Sequence, residues 1–155
     1  MKVEFVNPFV ESAVSVLRDM CGFNIQKGQL SLKKTAITTL GIAPIIGVTG
    51  DVTGRVIYDM SKQTALKIVS IMNGEEITEF NDLAQSTIAE LSNIITGNTI
   101  SSLSAKGYRV DITPPTLFMG DNLTVSKSEA LTLVVPLITE AGEIFINVAL
   151  KEKNK

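Results

Sequence analysis

Residues 86–93 of this chain spell STIAELSN and combine two different helical faces. Ser86, Glu90 and Asn93 have the spacing i, i+4, i+7, which at ~100° per residue brings them within roughly 60° of one another on a helix. The apolar residues of the segment fall on the opposite side of the helical wheel, and they are Ala84, Ile88, Leu91 and Ile95. The pattern predicts an amphipathic helix whose exposed side carries a polar ridge formed by Ser86, Glu90 and Asn93.

The helix around this segment is predicted to run from about Asn81 or Asp82 to about Ala105. Its ~24 residues would extend roughly 36 Å, which is long enough to cross a whole sheet. Gly97 lies inside the helix in line with the polar ridge, where glycine costs about 1 kcal/mol against alanine. The cost suggests a reason such as the close approach of another backbone, although a chance glycine on the solvent side is the alternative.

Two further helices are indicated by their terminal residues. The first is predicted to begin at Asn7-Pro8, since proline is tolerated in a first turn, and to end at Gly22. The second is predicted to begin with a cap at Ser61 and to reach Met72, closed by Asn73-Gly74, because glycine is favoured at the position after a helix. No linker separates these helices from the rest, so residues 1–155 are expected to form a single domain.

The remaining segments show the short β-rich runs of a sheet. Strands are predicted over residues 25–32, 43–48, 54–59, 108–112, 123–126, 130–139 and 143–150. Turn residues at 49–51 and 140–142 predict two hairpins. Pro136 suggests an edge strand or a bulge, because proline cannot donate to a ladder. Helices and mostly antiparallel strands in this order predict an α+β domain of two layers, with long helices packed on the sheet.

A weak internal repeat relates the two halves of the chain. Asn7, Glu11 and Val14 of the first helix have the same spacing as the residues of the polar ridge, and a glycine-containing hairpin follows in each half. If the repeat is a degenerate duplication, Val14 stands where the polar ridge has Asn93. The first helix would then keep a carboxylate and lack the amide.

Composition excludes several kinds of chemistry. The chain has 155 residues, of which 45% are hydrophobic, enough for one domain with a substantial core. It has no histidine and one cysteine, Cys21, so a single chain cannot build a Ser-His-Asp triad, a Cys-His dyad, a His or Cys zinc site or an internal disulfide. The net charge is -2, and the only lysine cluster is Lys151, Lys153 and Lys155, so nucleic acid is not expected as a partner.

The sequence also bears on the location of the protein and on phosphate or ligand binding. Residues 1–8 contain Lys2 and Glu4 and no apolar signal region, and no segment approaches the ~18 apolar residues of a membrane span, so we expect a cytoplasmic protein. Gly50 and Gly54 fit a β-turn better than a phosphate-binding loop, which would need Gly-Lys-Ser or Gly-Lys-Thr. A structural or ligand-binding domain therefore has little support in the sequence.

The polar ridge itself has two interpretations. Its residues can simply solvate an amphipathic helix, as exposed polar residues usually do. Asn93 favours a functional role, because asparagine is a poor helix former and here precedes β-branched residues. An amide can accept from a water and donate to an anionic oxygen, while a carboxylate one turn away can bind a cation. Such a pair could orient a nucleophilic water, but without a pocket the reacting group would have to come from another protein.

The same residues carry a family resemblance. Residues 86–93 resemble the signature of the CheC/CheX/FliY family of chemotaxis phosphatases: Asp or Ser, three residues, Glu, two residues and Asn, with a proline about twenty residues later. Gly97-Asn98 continues the pattern, and Pro114 or Pro115 supplies the proline, with Pro115 the closer candidate. A single copy of the signature in a short chain is similar to the CheX type, and the resemblance extends over most of the chain.

The resemblance implies an activity and a role for each residue. Relatives of this kind hydrolyse the aspartyl phosphate of the response regulator CheY and so reset the flagellar motor signal. Asn93 would position the attacking water, and Glu90 would pair with the active-site lysine of the regulator. Ser86 takes the Asp-or-Ser position and would support the polar ridge, and Ser86, Gly97 and Pro115 are expected on the partner-binding surface. No cofactor or metal ligand is expected in this chain, because the regulator would bind the magnesium ion.

The resemblance also implies a homodimer, which could be joined through sheet edges. CheC-type relatives keep Glu and Asn in both halves, whereas this chain has Val14 in the first, so one active ridge is expected. Glu11 is then expected to be a solvated surface residue. The alternative is a non-enzymatic module, like the flagellar-switch relatives, that would bind a regulator through the same helix without hydrolysis.

Overall fold

The computed structural model describes residues 3–126, 128 and 130–153, and helices and strands account for most of them. The helices are α1 (Val3–Cys21), α2 (Lys62–Asn73) and α3 (Asp82–Ala105). The strands are β1 (Gln26–Lys27), β2 (Ser31–Lys33), β3 (Ile37–Thr38), β4 (Gly41–Gly50), β5 (Val52–Ser61), β6 (Val110–Ile112), β7 (Thr116–Met119), β8 (Thr124–Val125), β9 (Thr132–Thr139) and β10 (Gly142–Glu152). In this part of the chain no helix is long and apolar enough to cross a membrane.

One antiparallel sheet organises the molecule. Its strands follow the order β1-β9-β10-β5-β4-β6, with β2 also paired to β9 and β7 also paired to β4. Val56 and Tyr58 of β5 point into the main core with the helices, and Ile57 between them packs on the opposite side against Ile37 of β3. Helices therefore cover one face, and a small two-stranded sheet of β3 and β8 covers part of the other. The α+β prediction is confirmed, with this small sheet as an addition to the two expected layers.

The strand order reproduces the internal repeat predicted from the sequence. α1 precedes β1 to β3 and the hairpin β4–β5, while α3 precedes β6 to β8 and the hairpin β9–β10. Strands β1 and β2 pair with β9 of the second half, and β6 and β7 pair with β4 of the first. β3 pairs with β8, and β5 pairs with β10 at the centre. The fold thus consists of two similar halves, joined by α2, in an approximately two-fold arrangement.

Local signals fix the ends of α2 and α3 where the sequence predicted them. The Asn81 side chain accepts a hydrogen bond from the Ala84 backbone N–H at 3.0 Å and begins α3. Ser61 accepts from the Thr64 N–H at 3.1 Å and begins α2, and Gly74 ends it in the left-handed conformation with φ 68°. Both helices are therefore bounded by their own neighbouring residues.

Buried hydroxyl groups attach α3 to the elements beneath it. The Thr96 hydroxyl donates to the Ser92 carbonyl at 2.7 Å, which leaves the Tyr58 hydroxyl of β5 to donate to Thr96 Oγ1 at 2.8 Å. Burial raises the pKa of Tyr58, so this donor keeps its proton. The Ser12 hydroxyl of α1 donates to the Ile95 carbonyl at 2.7 Å. These bonds inside an apolar core hold α3 in one orientation on the sheet.

Helix α1 begins earlier than predicted. The sequence placed its start at Asn7-Pro8, but the helix begins at Val3 and contains Pro8 in its second turn. Proline there removes one hydrogen bond from the helix. Phe5 and Phe9 are fully buried on either side of it, so packing against the core outweighs that loss.

The strand predicted over residues 25–32 is divided into β1 and β2. Both pair with β9, so the strand that contains Pro136 is not the edge strand predicted from the sequence. The register of β9 with β10 is also continuous through Pro136, so no bulge forms on that side. The two short strands flank the position opposite Pro136, where the Gly28 N–H donates to the Pro136 carbonyl at 2.8 Å. A Cβ at position 28 would lie 2.9 Å from the Cβ of Pro136. The proline thus interrupts its neighbour rather than ending the sheet.

Candidate active site

The polar ridge lies on the exposed side of α3. Ser86, Glu90 and Asn93 are all exposed, and within the described residues none of the three side chains has a hydrogen-bond or ion-pair partner. Glu90 and Asn93 are three residues apart, which separates them by about 4.5 Å along the helix axis. A carboxylate and an amide are therefore presented side by side on a rigid support, with their bonding capacity unused.

The other polar residues of α3 behave differently. A second group of hydroxyls faces the protein interior, and each donates to a carbonyl or binds a neighbouring side chain; these residues are Thr87, Ser92, Thr96 and Thr99. The apolar face predicted for the helix is buried, with Leu91 and Ile95 each 3% exposed. The helix therefore separates polar groups that hold it in place from polar groups that are free to meet a partner.

Gly97 lies one turn beyond Asn93 and is partly exposed. A Cβ added there would meet nothing within 4 Å outside its own helix, so among the described residues no other backbone approaches Gly97 closely. The close approach suggested by the sequence is thus not made by this part of the chain, which leaves a partner backbone or the alternative of a chance glycine on the solvent side. Because Gly97 has no side chain, the helix backbone is accessible one turn beyond Asn93.

Pro115 belongs to the sheet edge rather than to α3. It lies in the connection between β6 and β7, and both strands pair with β4. Just before it, Thr113 is bound to Gly47 twice: its N–H donates to the Gly47 carbonyl at 2.9 Å, and its hydroxyl accepts from the Gly47 N–H at 2.8 Å. Pro114 is exposed and Pro115 is half-buried. The proline segment is therefore held against β4.

Other features of the surface lie apart from the polar ridge. A cleft of about 530 Å³ lies beside α2 and the turn between β9 and β10, and one of about 520 Å³ lies beside α1. Neither is lined by Ser86, Glu90 or Asn93. Among residues 3–126, 128 and 130–153, no group of three or more Asp, Glu, Cys or His side chains could hold a metal ion.

The α+β fold and the exposed ridge on its longest helix agree with the class of chemotaxis phosphatases that the sequence resembles. Residues 42–138 match the model of the family described as chemotaxis phosphatase CheX. The chain is also 35% identical over 146 residues to the CheY-P phosphatase CheX of Thermotoga maritima, with 94% of each chain covered. The chain belongs to the CheX family of chemotaxis phosphatases and is a phosphatase.

Solved structures of similar chains confirm the fold. A chain in the CheX-CheY-BeF3-Mg complex from Borrelia burgdorferi is 37% identical, with a TM-score of 0.85 and coverage of 97% of this chain and 100% of that one. A CheC-like superfamily protein from Shewanella sp. PV-4 is 27% identical, with a TM-score of 0.89 and coverage of 97% and 99%. The similarity extends over nearly the whole of all three chains.

Proposed function

We propose that this chain hydrolyses the aspartyl phosphate of a CheY response regulator, using Asn93 to position the attacking water and Glu90 to bind the regulator's active-site lysine. The observation that carries the proposal is the pair of exposed, unbonded side chains on α3. The Thermotoga relative is a CheY-P phosphatase, and the Borrelia relative was crystallised with CheY, BeF3 and magnesium. Both support a phosphorylated regulator as the partner.

The proposed reaction is a hydrolysis completed by groups of two proteins. The oxygen of a water attacks the phosphorus, and the bond between phosphorus and the aspartyl oxygen breaks. The products are the free aspartate of the regulator and inorganic phosphate, which retains the oxygen of the water. The side-chain oxygen of Asn93 can accept a hydrogen bond from the water while the side-chain NH₂ donates one to a phosphoryl oxygen. The water is then held in line for attack.

Glu90 contributes to docking and alignment. Its carboxylate lies one turn before Asn93, where a charge-assisted bond to a lysine of the regulator would fix the rotation of α3 in the site. Ser86 lies a further turn away and would support the polar ridge. The magnesium ion is assigned to the regulator, so this chain is proposed to contribute no metal ligand.

Gly97 and Pro115 complete the proposed partner-binding residues. Gly97 leaves open space one turn beyond Asn93, so a regulator loop can approach the backbone of α3 there. Pro115 limits the backbone freedom of the segment between β6 and β7, which Thr113 holds to β4. Both would act by shaping the surface around the polar ridge rather than by taking part in the chemistry.

The decay of a phosphorylated regulator tests the proposed function directly. The phosphoryl lifetime of CheY is measured with and without this protein, using the wild type and Asn93→Ala. We expect the wild type to shorten the lifetime and the variant to leave it near the spontaneous value. An unchanged lifetime at saturating wild-type protein would overturn the proposed hydrolysis and leave the binding module as the alternative, and full activity of Asn93→Ala would remove the role of this amide.

We also propose that the chain forms a homodimer through a sheet edge. Exposed apolar side chains lie near both edges, with Leu30 and Leu32 around β2 and Phe118 and Met119 in β7. Such edges commonly pair or are covered. Sedimentation velocity should show a dimer that Leu32→Lys or Phe118→Lys dissociates, and the variant that does so identifies the edge. A monomer at all concentrations tested would overturn this proposal.

A further inference from the structure

One large apolar side chain of α3 is exposed and lies outside the family signature. Leu83, the second residue of the helix, is 45% exposed. Among the described residues it is the only large apolar side chain of α3 in the exposed class. The comparable exposed residues lie elsewhere, and they are Met20, Leu30, Leu32, Leu40, Ile71, Phe118, Met119, Leu131 and Ile138.

Leu83 is aligned with the polar ridge. Glu90 follows it by seven residues, so the two side chains differ by about 20° around the helix and by about 10 Å along it. Asn93 is about 15 Å from Leu83 along the axis and about 80° from it around the helix, with Glu90 between them in both respects. Leu83, Glu90 and Asn93 thus share one exposed face, with the apolar residue at its N-terminal end.

The size of a stable protein interface brings Leu83 within reach of the partner. A standard interface buries about 800 Å² on each side, which corresponds to a patch of roughly 16 Å radius. A patch of that size centred on Glu90 includes Asn93 on one side and Leu83 on the other. The site needs such an area, because one amide and one carboxylate do not by themselves offset the entropy lost on association.

The backbone around Leu83 is already held in place. The Thr87 hydroxyl donates to the Leu83 carbonyl at 2.8 Å and accepts from the Asn73 amide of α2 at 3.1 Å. The first turn of α3 is further fixed by the Asn81 cap. The Leu83 side chain is therefore presented from an ordered turn, so little backbone entropy would be lost when a partner covers it.

We infer that Leu83 is an affinity-determining contact for the phosphorylated regulator, covered by an apolar group of the regulator when Asn93 enters its site. The inference rests on the proposed function and adds a residue outside the family signature. Leu83 does not touch the reacting atoms, so it contributes to binding in the ground state and the transition state alike. A contact of that kind changes KM and leaves kcat unaltered.

Dephosphorylation rates measured against regulator concentration test this inference. Leu83→Ala is expected to raise KM about five- to tenfold with kcat unchanged, and Leu83→Met is expected to restore KM because it returns an apolar side chain of similar volume. The matched control is Ile71→Ala on α2, where the isoleucine is also 45% exposed but lies on another helix. Its KM should equal that of the wild type.

Titration with a regulator activated by beryllofluoride provides a second measurement, which does not depend on catalysis. Leu83→Ala should raise the dissociation constant by the same factor by which it raises KM. An unchanged constant, or an equal effect of Ile71→Ala, would overturn the inference. An unchanged phosphoryl lifetime with the wild-type protein would overturn the proposed function, whereas a silent Leu83→Ala beside an active wild type would remove only this contact.

Discussion

Helices α1 and α3 occupy equivalent places in the two halves of the fold, and only α3 presents a complete polar ridge. In α1, Asn7 and Glu11 are exposed but Val14 is half-buried, whereas Ser86, Glu90 and Asn93 of α3 are all exposed. The two helices share a carboxylate and differ in the amide. Equivalent position in the scaffold therefore does not create a site, because the side chains on it decide what chemistry is available.

The equivalent positions of the two helices also differ in how accessible they are. Val14 packs at the margin of the core and lines the cleft beside α1, together with Arg18 and Ile25 among others. Asn93 is exposed on α3 and lines neither of the two clefts described above, so a second protein can reach it. Where α3 has an accessible amide at Asn93, α1 thus has a partly packed apolar residue at Val14. Mutations at matching positions of the two helices can test this difference.

The largest effect is expected from removal of the Asn93 amide. Asn93→Ala should lower regulator dephosphorylation by about 100-fold or more, because the water loses the group that orients it. Folding should survive, since an exposed amide without partners supports no packing. Regulator decay measures the rate and thermal melting measures the fold. Asn7→Ala on α1 is the control, and an equal loss there would contradict the distinction between the helices.

The next largest difference is expected between substitutions of the two carboxylates, Glu90 on α3 and Glu11 on α1. Glu90→Ala should lower kcat/KM about 10- to 100-fold, because a charged contact with the regulator is lost, and Glu11→Ala should change it less than twofold. Rates measured at several salt concentrations identify the cause. KM of the wild type should rise with salt more steeply than that of Glu90→Ala. Similar salt slopes would mean that Glu90 does not pair with a charge.

Gly97→Ala is expected to give the smallest change in rate and a gain in stability. Because the added Cβ meets nothing in the free chain, the free energy of unfolding should rise by about 1 kcal/mol. If the regulator approaches the backbone there, activity should fall several-fold. Chemical denaturation and regulator decay give the two values, with Ser101→Ala on α3 as the control. Higher stability with full activity would show that the glycine serves no partner.

The elements predicted correctly are those whose signals are local. Asn81 and Ser61 cap the helices that follow them, Gly74 ends α2, and a tight turn joins β4 to β5, so neighbouring residues suffice. The misplaced elements depend on distant contacts. The start of α1 depends on the burial of Phe5 and Phe9 in the core. Local helix propensity does not predict that burial.

Strand β7 was not predicted at all, because Pro114-Pro115 suggests a turn and only its pairing with β4 reveals a strand. The division of β1 from β2 likewise depends on Pro136, more than a hundred residues away. Tertiary pairing of this kind cannot be recognised from a single segment.

The exposed residues of the candidate site could be predicted from helical periodicity alone, since Ser86, Glu90 and Asn93 occupy the side opposite the apolar stripe. The roles assigned to them come from the family resemblance and stay a prediction. Leu83 was missed because a lone apolar residue in a first turn resembles the many apolar residues found on protein surfaces. Its alignment with Glu90 is the signal that could have identified it.

The buried bonds of Tyr58 and Ser12 to α3 also have a thermodynamic consequence. They hold the helix in one orientation on the sheet of the free chain, so we expect association through this helix to require no coupled folding of this chain. Calorimetry should then give a heat-capacity change that matches the contact area alone, without the larger value of a segment that orders on binding. The association rate should likewise be set by diffusion and charge rather than by a conformational step.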